Sequence, residues 1–145
     1  MRKHNSKILY VTFFILTSIV LGCSSLPSEN DAKNDLKKLI EEQSKGNIEL
    51  LKFEKTNALK QNVFGFEEYT IEVKIQIKLN EEGFLKYNAL EGELDGFNLY
   101  PKRHHGFSKF FDKSTLMNLK GKVEYEKTEK GYRRTRWSKF IEVEQ

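Results

Sequence analysis

The sequence predicts an α+β domain in which one N-terminal helix packs on a curved antiparallel sheet of about four strands. A stripe of apolar residues at helical spacing around residue 36 and a run of strict alternation over residues 68–79 predict these two layers. A single cysteine in 145 residues excludes an intramolecular disulfide, so packing alone must hold the fold together. The length predicts one such domain, which we place at residues 31–145.

The chain begins with a segment typical of a secretory signal peptide. A basic start over residues 1–7 ("MRKHNSK") precedes 15 uncharged residues, 8–22 ("ILYVTFFILTSIVLG"). A membrane-spanning helix needs about 20 apolar residues, so this run is short for a permanent anchor. We predict that residues 1–22 are a leader. An ordinary secretory leader and an uncleaved anchor stay open as alternatives.

The leader ends in Val20-Leu21-Gly22-Cys23. This tetrapeptide resembles the bacterial lipobox, which has an aliphatic residue three positions before the cysteine and a small residue just before it. The resemblance implies that Cys23 carries a diacylglyceryl group, starts the mature chain and tethers it to a membrane. Residues 23–30 would then be the lipidated cysteine and a polar linker. The implied location is the bacterial cell envelope, at the cell membrane or outer membrane, with the domain outside the cytoplasm.

The charges predict a two-sided molecule. Removal of the three leader bases lowers Lys+Arg from 25 to 22 against 21 acids, so the net charge falls from +4 to +1. Residues 28–100 hold 10 bases and 15 acids, whereas residues 101–145 hold 12 and 6. This balance, together with the export signal, disfavours nucleic acid as a partner.

The regular elements follow from two periods. Ala32, Leu36, Leu39 and Ile40 form one helical stripe, which Ser28 or Asn30 can cap and Gly46 can end. The main strand alternates apolar residues with polar ones, the apolar set being Tyr69, Ile71, Val73, Ile75, Ile77 and Leu79. A shorter strand at residues 48–56 precedes it through a polar loop at 57–65, and a closing hairpin joins residues 119–127 to 132–143.

Residues 80–115 form an irregular insertion between the second and third predicted strands. Residues 82–90 are interpreted as a short helix, and the rest mixes glycine, aromatics and bases without a period. The aromatics either fold back as a satellite core or present an apolar surface to a partner: Phe97, Tyr100, Phe107, Phe110 and Phe111. The neighbouring bases would suit an anionic partner: Lys102, Arg103, Lys109 and Lys113.

Three segments carry a wider resemblance: "GNIELLKFEKTN" (46–57), the alternating strand, and "KGKVEYEKTEKGYR" (120–133). Their order resembles small, uncharacterised bacterial lipoproteins in which a helix packs on a cystatin-like or nuclear-transport-factor-two-like sheet. One clear helix favours the cystatin-like arrangement. The resemblance implies a fold and no activity.

Candidate chemistry is sparse. His104 and His105 are adjacent, so in an extended segment they point to opposite faces and cannot easily hold one metal ion. We expect no metal, no cofactor and no catalytic nucleophile, and we predict a protein that is not an enzyme. An acid-base pair of one histidine with a carboxylate stays open as the alternative.

The stretch "YRRTRW" at residues 132–137 is the better binding candidate. Simple alternation places Tyr132, Arg134 and Arg136 on one face and turns Trp137 inward, giving an exposed basic ladder. Arginine with aromatics is typical of binding hot spots, although a charged face that prevents sheet-to-sheet pairing would look the same. With Arg103 and the histidines, this ladder predicts a binding module for an envelope protein or an anionic envelope component. The alternative is a small-molecule or weakly catalytic pocket between helix and sheet.

Overall fold

A computed structural model describes residues 25–103 and 106–144. These residues form helix α1 (Glu29–Ser44) and nine strands: β1 (Ile48–Val63), β2 (Phe66–Leu79), β3 (Gly83–Leu85), β4 (Tyr87–Asn88), β5 (Glu93–Leu94), β6 (Lys109–Phe111), β7 (Leu116–Thr128), β8 (Gly131–Trp137) and β9 (Phe140–Glu142). The predicted α+β class, with one helix and an antiparallel sheet, is confirmed. The predictions for the leader, Cys23, His104 and His105 lie outside the described residues.

The main sheet has seven strands, so the prediction of about four was wrong. Its order is β1-β2-β7-β9-β5-β4, with β8 also paired to β7, and every pairing is antiparallel. The extra strands have two sources. The insertion contributes β4 and β5, which are too short to show a period, and the C-terminal segment divides into β8 and β9. Strands β3 and β6 form a separate two-stranded sheet.

Helix α1 begins and ends through local chemistry that the sequence indicates. The Ser28 hydroxyl accepts a hydrogen bond from the Asp31 amide at 3.1 Å, and the Asp31 carboxylate accepts one from the Ser28 amide at 2.8 Å. This reciprocal cap satisfies two donors that the first turn leaves unpaired. The helix ends at Lys45, in the left-handed conformation at φ 54°. Its buried stripe, Ala32, Leu36 and Ile40, packs into the core.

Strand β2 lies at the centre of the three long strands, and its alternation is confirmed. All six of its predicted inward residues are buried, whereas their polar neighbours face the other side of the sheet. Strand β1 continues to Val63, although a loop was expected at residues 57–65. The chain there pairs with residues 66–72 of β2, most of which also pair with β7, so β1 is the edge strand of the sheet. Its polar composition misled the prediction because no residue of this part of the edge strand is fully buried, so it carries no apolar stripe.

The insertion is largely ordered, and the expected helix at residues 82–90 was wrong. Buried residues alternate there over Gly83, Leu85 and Tyr87, which is the period of a strand. A Cβ at Gly83 would lie 2.9 Å from the Tyr100 carbonyl oxygen and from Leu99, so the glycine permits this close approach. Two strand pairs, β3–β6 and β4–β5, are the result.

The last two strands are separated by a bend at Ser138 and Lys139. The Lys122 amide donates to the Ser138 hydroxyl at 2.9 Å, and the Ser138 amide donates to the Lys122 carbonyl at 2.8 Å. Beyond this bend Phe140 enters the core directly over Gly121 of β7. The core therefore joins α1, the long strands, the insertion and the C-terminal strand in one apolar cluster.

Candidate functional site

The predicted basic ladder on β8 is not formed, because the strand contains a β-bulge. Arg136 is paired with Glu124 and Arg134 with Tyr125, which leaves Thr135 as an extra residue between them. The bulge reverses the alternation, so Tyr132, Arg134 and Trp137 share the helix-facing side of the sheet, and Arg136 lies on the outer side with Arg133. The prediction of one face for Arg134 and Arg136 was therefore wrong.

Each of the two arginines already has an acidic partner within the chain. The Arg136 Nε atom lies 2.5 Å from the Glu124 Oε2 atom, and its second nitrogen lies 3.1 Å from Oε1, so this pair is bidentate. Arg134 donates to the Asp35 carbonyl oxygen at 3.4 Å, and its guanidinium lies 4.0 Å from the Asp35 carboxylate. Paired charges of this kind attract an external anion less than free ones do, so β8 is a poor anion site.

Asp35 links the helix to the sheet. Its carboxylate accepts a hydrogen bond from the Tyr125 hydroxyl at 3.2 Å, and burial, followed by the Asp35 charge, raises the pKa of Tyr125. Around this contact an open cleft separates the start of the chain from the β7–β8 turn. It is lined by Ser25 and Pro27 on one side and by Lys130 and Tyr132 on the other. Ser25, the first described residue, therefore lies close to the β7–β8 turn.

Glu67 is the charged centre of the end of the sheet where two hairpins meet. Its carboxylate accepts a hydrogen bond from the Tyr132 hydroxyl and lies 3.0 Å from the Lys60 ammonium and 3.4 Å from that of Lys127. The Tyr132 hydrogen bond, then Lys60, lowers the pKa of Glu67 to about 2. The same bond raises the pKa of Tyr132 to about 12. This one side chain of β2 thus links its own strand to β1, β7 and β8.

We expect acid to weaken this junction. The pKa of Glu67 falls from 4.5 to about 2 on folding, so its stabilisation is complete above the unfolded value and is lost as the pH falls from 4.5 towards 2. Thermal unfolding of the parent protein and of Glu67→Gln, measured from neutral pH to pH 2, should show midpoints that converge across this window. A gap that stays constant down to pH 2 would contradict the assignment. Glu68→Gln, one residue away on the outer face, is the control.

The insertion divides its aromatic residues between two roles, so both alternatives hold for different residues. Phe97 and Phe111 are buried, and Tyr87, which the sequence did not single out, joins them: its ring lies 5.5 Å from that of Phe111. Phe107 and Phe110 are instead 67% and 45% exposed. The insertion therefore contributes some of its aromatic residues to the core and exposes others on an apolar surface.

An aromatic row crosses the small sheet on its exposed side. It consists of Tyr100, Phe84 and Phe110, which are cross-strand neighbours: Phe84 pairs with Phe110 in β6, and Phe84 exchanges two backbone hydrogen bonds with Tyr100, of 2.8 and 2.9 Å. Directly opposed residues share a face. The rings of Phe84 and Phe110 meet edge to face with centroids 5.2 Å apart. Sequence reasoning missed Phe84 because it lay within the expected helix.

Bases lie close to the aromatic row in the sequence. Residues 100–113 contain four of them and one acid, Asp112, for a net charge of +3 with neutral histidines. Lys109 lies 5.0 Å from the ring centroids of both Tyr87 and Phe111, and Lys113 lies 3.4 Å from a Glu81 oxygen. Lys102 and Arg103 are exposed and form no ion pair with any residue that the structure describes. They are the bases best placed to meet an anionic partner.

Neither metal ligation nor a membrane span is found in the described ranges, 25–103 and 106–144. They contain no group of three or more histidine, cysteine, aspartate or glutamate side chains that could hold a metal ion. No helix within them is long and apolar enough to cross a bilayer. No protein-family model, curated protein or solved structure matches the chain.

Proposed function

We propose that the chain is a lipid-anchored bacterial envelope protein whose domain binds another protein or an envelope component without catalysis. Its binding surface is the aromatic row with Lys102 and Arg103, which follow Tyr100 in the sequence. The observation that carries the proposal is the exposure of Phe110 in a row of aromatic rings, close in sequence to two bases that form no ion pair within the described part of the chain. Exposed apolar clusters with a polar rim are typical of interaction sites. A relationship to cystatin-like lipoprotein domains stays part of this proposal.

The position of this surface supports a role facing away from the membrane. Strand β2 ends at Leu79, four residues before β3 begins, whereas the cleft beside Ser25 lies at the other end of the long strands. The 14 residues of β2 span about 45 Å at 3.3 Å per residue. An anchor at Cys23 would hold one end of the domain at the membrane and present the aromatic row at the other.

The composition of the surface indicates the chemistry of its partner. Tyr100, Phe84 and Phe110 offer apolar area, and Lys102 and Arg103, which have no acidic partner among the described residues, offer two cations. Arginine and aromatic residues are enriched at binding hot spots. We therefore expect an acidic partner surface that carries at least one apolar anchor residue, rather than a uniform polyanion.

The small-molecule alternative finds less support. It needs a ligand-sized cavity between α1 and the concave side of the sheet. Leu36 and Ile40 of the helix are buried there with Ile71, Val73 and Leu119 in one apolar cluster. Among the described residues, the centre of that interface is core, and the cavity at its edge, about 340 Å³ between Leu39 and Gln43 of the helix and residues 134–140, is open to solvent.

A photoreactive phenylalanine analogue at Phe110 tests the surface. We expect one discrete cross-linked species in intact cells, because the ring stands 45% exposed in the row. The matched control is the same analogue at Leu59, an exposed residue opposite Thr70 on the outer face of the main sheet. Arg103→Glu should reduce the yield at Phe110 several-fold, since it reverses one of the two free charges.

Equal labelling at Phe110 and Leu59, or a yield unaffected by Arg103→Glu, would contradict the proposed surface. Circular dichroism of each variant should match that of the parent protein, because all three positions are exposed. A change in folding therefore cannot account for a lost cross-link.

A further inference from the structure

The tip of the β1–β2 hairpin, residues 63–66, exposes two phenylalanines. Phe64 is 97% exposed and Phe66 is 61% exposed. Phe64 has φ 50° and Gly65 φ 86°, so both central residues of the turn are left-handed. Asn-Gly suits such a turn best, and bulky residues rarely adopt positive φ. A phenylalanine that is neither buried nor favoured by the turn indicates a contact outside the domain.

The tip is held rigidly rather than left as a free loop. The Asn62 side chain accepts a hydrogen bond from the Gly65 amide at 3.0 Å, which closes the turn. One residue after Phe66, the Glu67 carboxylate binds Lys60 of the same hairpin and Tyr132 and Lys127 of the next one. The two aromatic side chains therefore project from a turn that hydrogen bonds and ion pairs hold in place.

The described chain begins at this same end of the sheet. Ser25 and Pro27 line the cleft opposite Lys130 and Tyr132, and Tyr132 is bonded to Glu67 beneath the tip. Cys23 lies two positions before Ser25, so even a fully extended chain can place their Cα atoms at most about 7 Å apart. An acyl group on Cys23 would consequently enter a membrane near the hairpin tip.

We propose that Phe64 and Phe66 insert into the surface of the lipid bilayer beside the acyl anchor. This inference rests on the proposed lipid anchor, which supplies the bilayer. Aromatic side chains favour the membrane-water interface, and Lys130 in the adjoining β7–β8 turn suits anionic head groups. The second contact fixes how the domain stands, with its long strands rising from the membrane and the aromatic row at the far end.

Tryptophan substitution in the full, natively acylated chain tests the insertion. F64W and the matched control L90W are each reconstituted into phosphatidylcholine/phosphatidylglycerol vesicles, with and without brominated acyl chains. Leu90 is 92% exposed, in the turn between β4 and β5. This turn is far from the hairpin tip. Strand β5 pairs with β9, and β9 pairs with β7 at Leu119, which lies nine residues, or about 30 Å, before the end of β7 that adjoins the tip. The half-buried Trp137 adds the same background to every sample.

We expect the added emission of F64W to shift to the blue and to lose most of its intensity to brominated lipid, whereas that of L90W stays unshifted and unquenched. Unquenched, water-like emission from F64W overturns the insertion. Blue-shifted emission without quenching also overturns it, and points to cover by the leader, by a second copy or by a protein.

The intact mass of the same samples tests the acylation of Cys23 independently of the insertion of Phe64 and Phe66. An acylated chain with unquenched F64W refutes the insertion alone, and quenched F64W on a chain without acyl mass refutes the anchor alone. A chain without acyl mass and with unquenched F64W refutes both.

Discussion

Phe140→Ala is expected to lower the free energy of unfolding by about 3–5 kcal/mol, the usual cost of removing a buried aromatic ring. The side chain is buried, and its ring lies 5.1 Å from that of Phe97 in the insertion and 5.8 Å from that of Trp137 in β8. The Phe140 ring thus connects strand β9 with the insertion and with β8. Native domains are stable by only about 5–15 kcal/mol, so the loss is a large share of the total.

Gly121 provides a sharper test of the same contact. A Cβ at this position would lie 2.6 Å from two ring carbons of Phe140. Gly121→Ala alone should therefore cost about 1–3 kcal/mol through overpacking. In the Phe140→Ala background the clash disappears, and alanine is favoured over glycine inside a strand by about 0.5–1 kcal/mol. The effect of Gly121→Ala should then change sign.

Urea unfolding of the four proteins of this cycle measures both effects. Ile141→Ala is the control, because this exposed neighbour lies on the outer face. If Phe140→Ala does not fold, Phe140→Leu can replace it. We expect Phe140→Leu to lower the free energy of unfolding by less than about 1.5 kcal/mol. It should also reduce, without abolishing, the cost of Gly121→Ala. Additive effects of Gly121→Ala and Phe140→Ala would show that the two residues do not share this contact.

The sequence allows the helix and the central strand to be predicted because each carries its own period. Leu36 and Ile40 recur at helical spacing, and Ser28 and Asp31 form a cap that needs no distant partner. Strand β2 is buried on one side along its whole length, so its alternation is visible without knowledge of its neighbours. Features with a local cause are the ones that a single sequence reveals.

The features that were missed depend on distant partners. The bulge at Thr135 follows from the pairing of β8 with β7, and only this pairing separates Arg134 from Arg136. The strands of the insertion are two or three residues long, too short for a pattern to emerge. The exposed pair Phe64 and Phe66 had a signal, since two phenylalanines flank a glycine within a polar run, but that run was interpreted as a loop.

The two proposed surfaces lie at opposite ends of one rigid set of long strands. Glu67 ties the first hairpin to the second at the end near Ser25, and Gly83 allows the small sheet to close at the other. A two-point contact with the membrane would limit rotation about the polar linker, so the aromatic row would face a constant direction. Such a fixed orientation favours binding because less rotational freedom is lost on association.

Cys23→Ser is expected to abolish acylation and leave a longer chain. A thioether requires the sulfur atom, and the resemblance to the lipobox rests on this cysteine, so its loss should also leave residues 1–22 attached. The proposed acyl anchor would dominate retention, since each buried methylene contributes about 0.8 kcal/mol and two or more acyl chains hold a protein stably. The intact mass of the purified variant should rise by the 22 leader residues and lack the mass of the lipid.

Ser24→Ala is the matched control, because it changes a neighbouring hydroxyl and leaves the thiol in place. Its mass should start at Cys23 and carry the same acyl chains as the parent protein. A parent mass that begins at Cys23 without lipid would instead indicate an ordinary secretory leader, and a parent mass that includes residues 1–22 would indicate an uncleaved anchor. Because the proposed lipidation would bring the hairpin tip to the bilayer, F64W combined with Cys23→Ser should also be quenched less by brominated lipid than F64W alone.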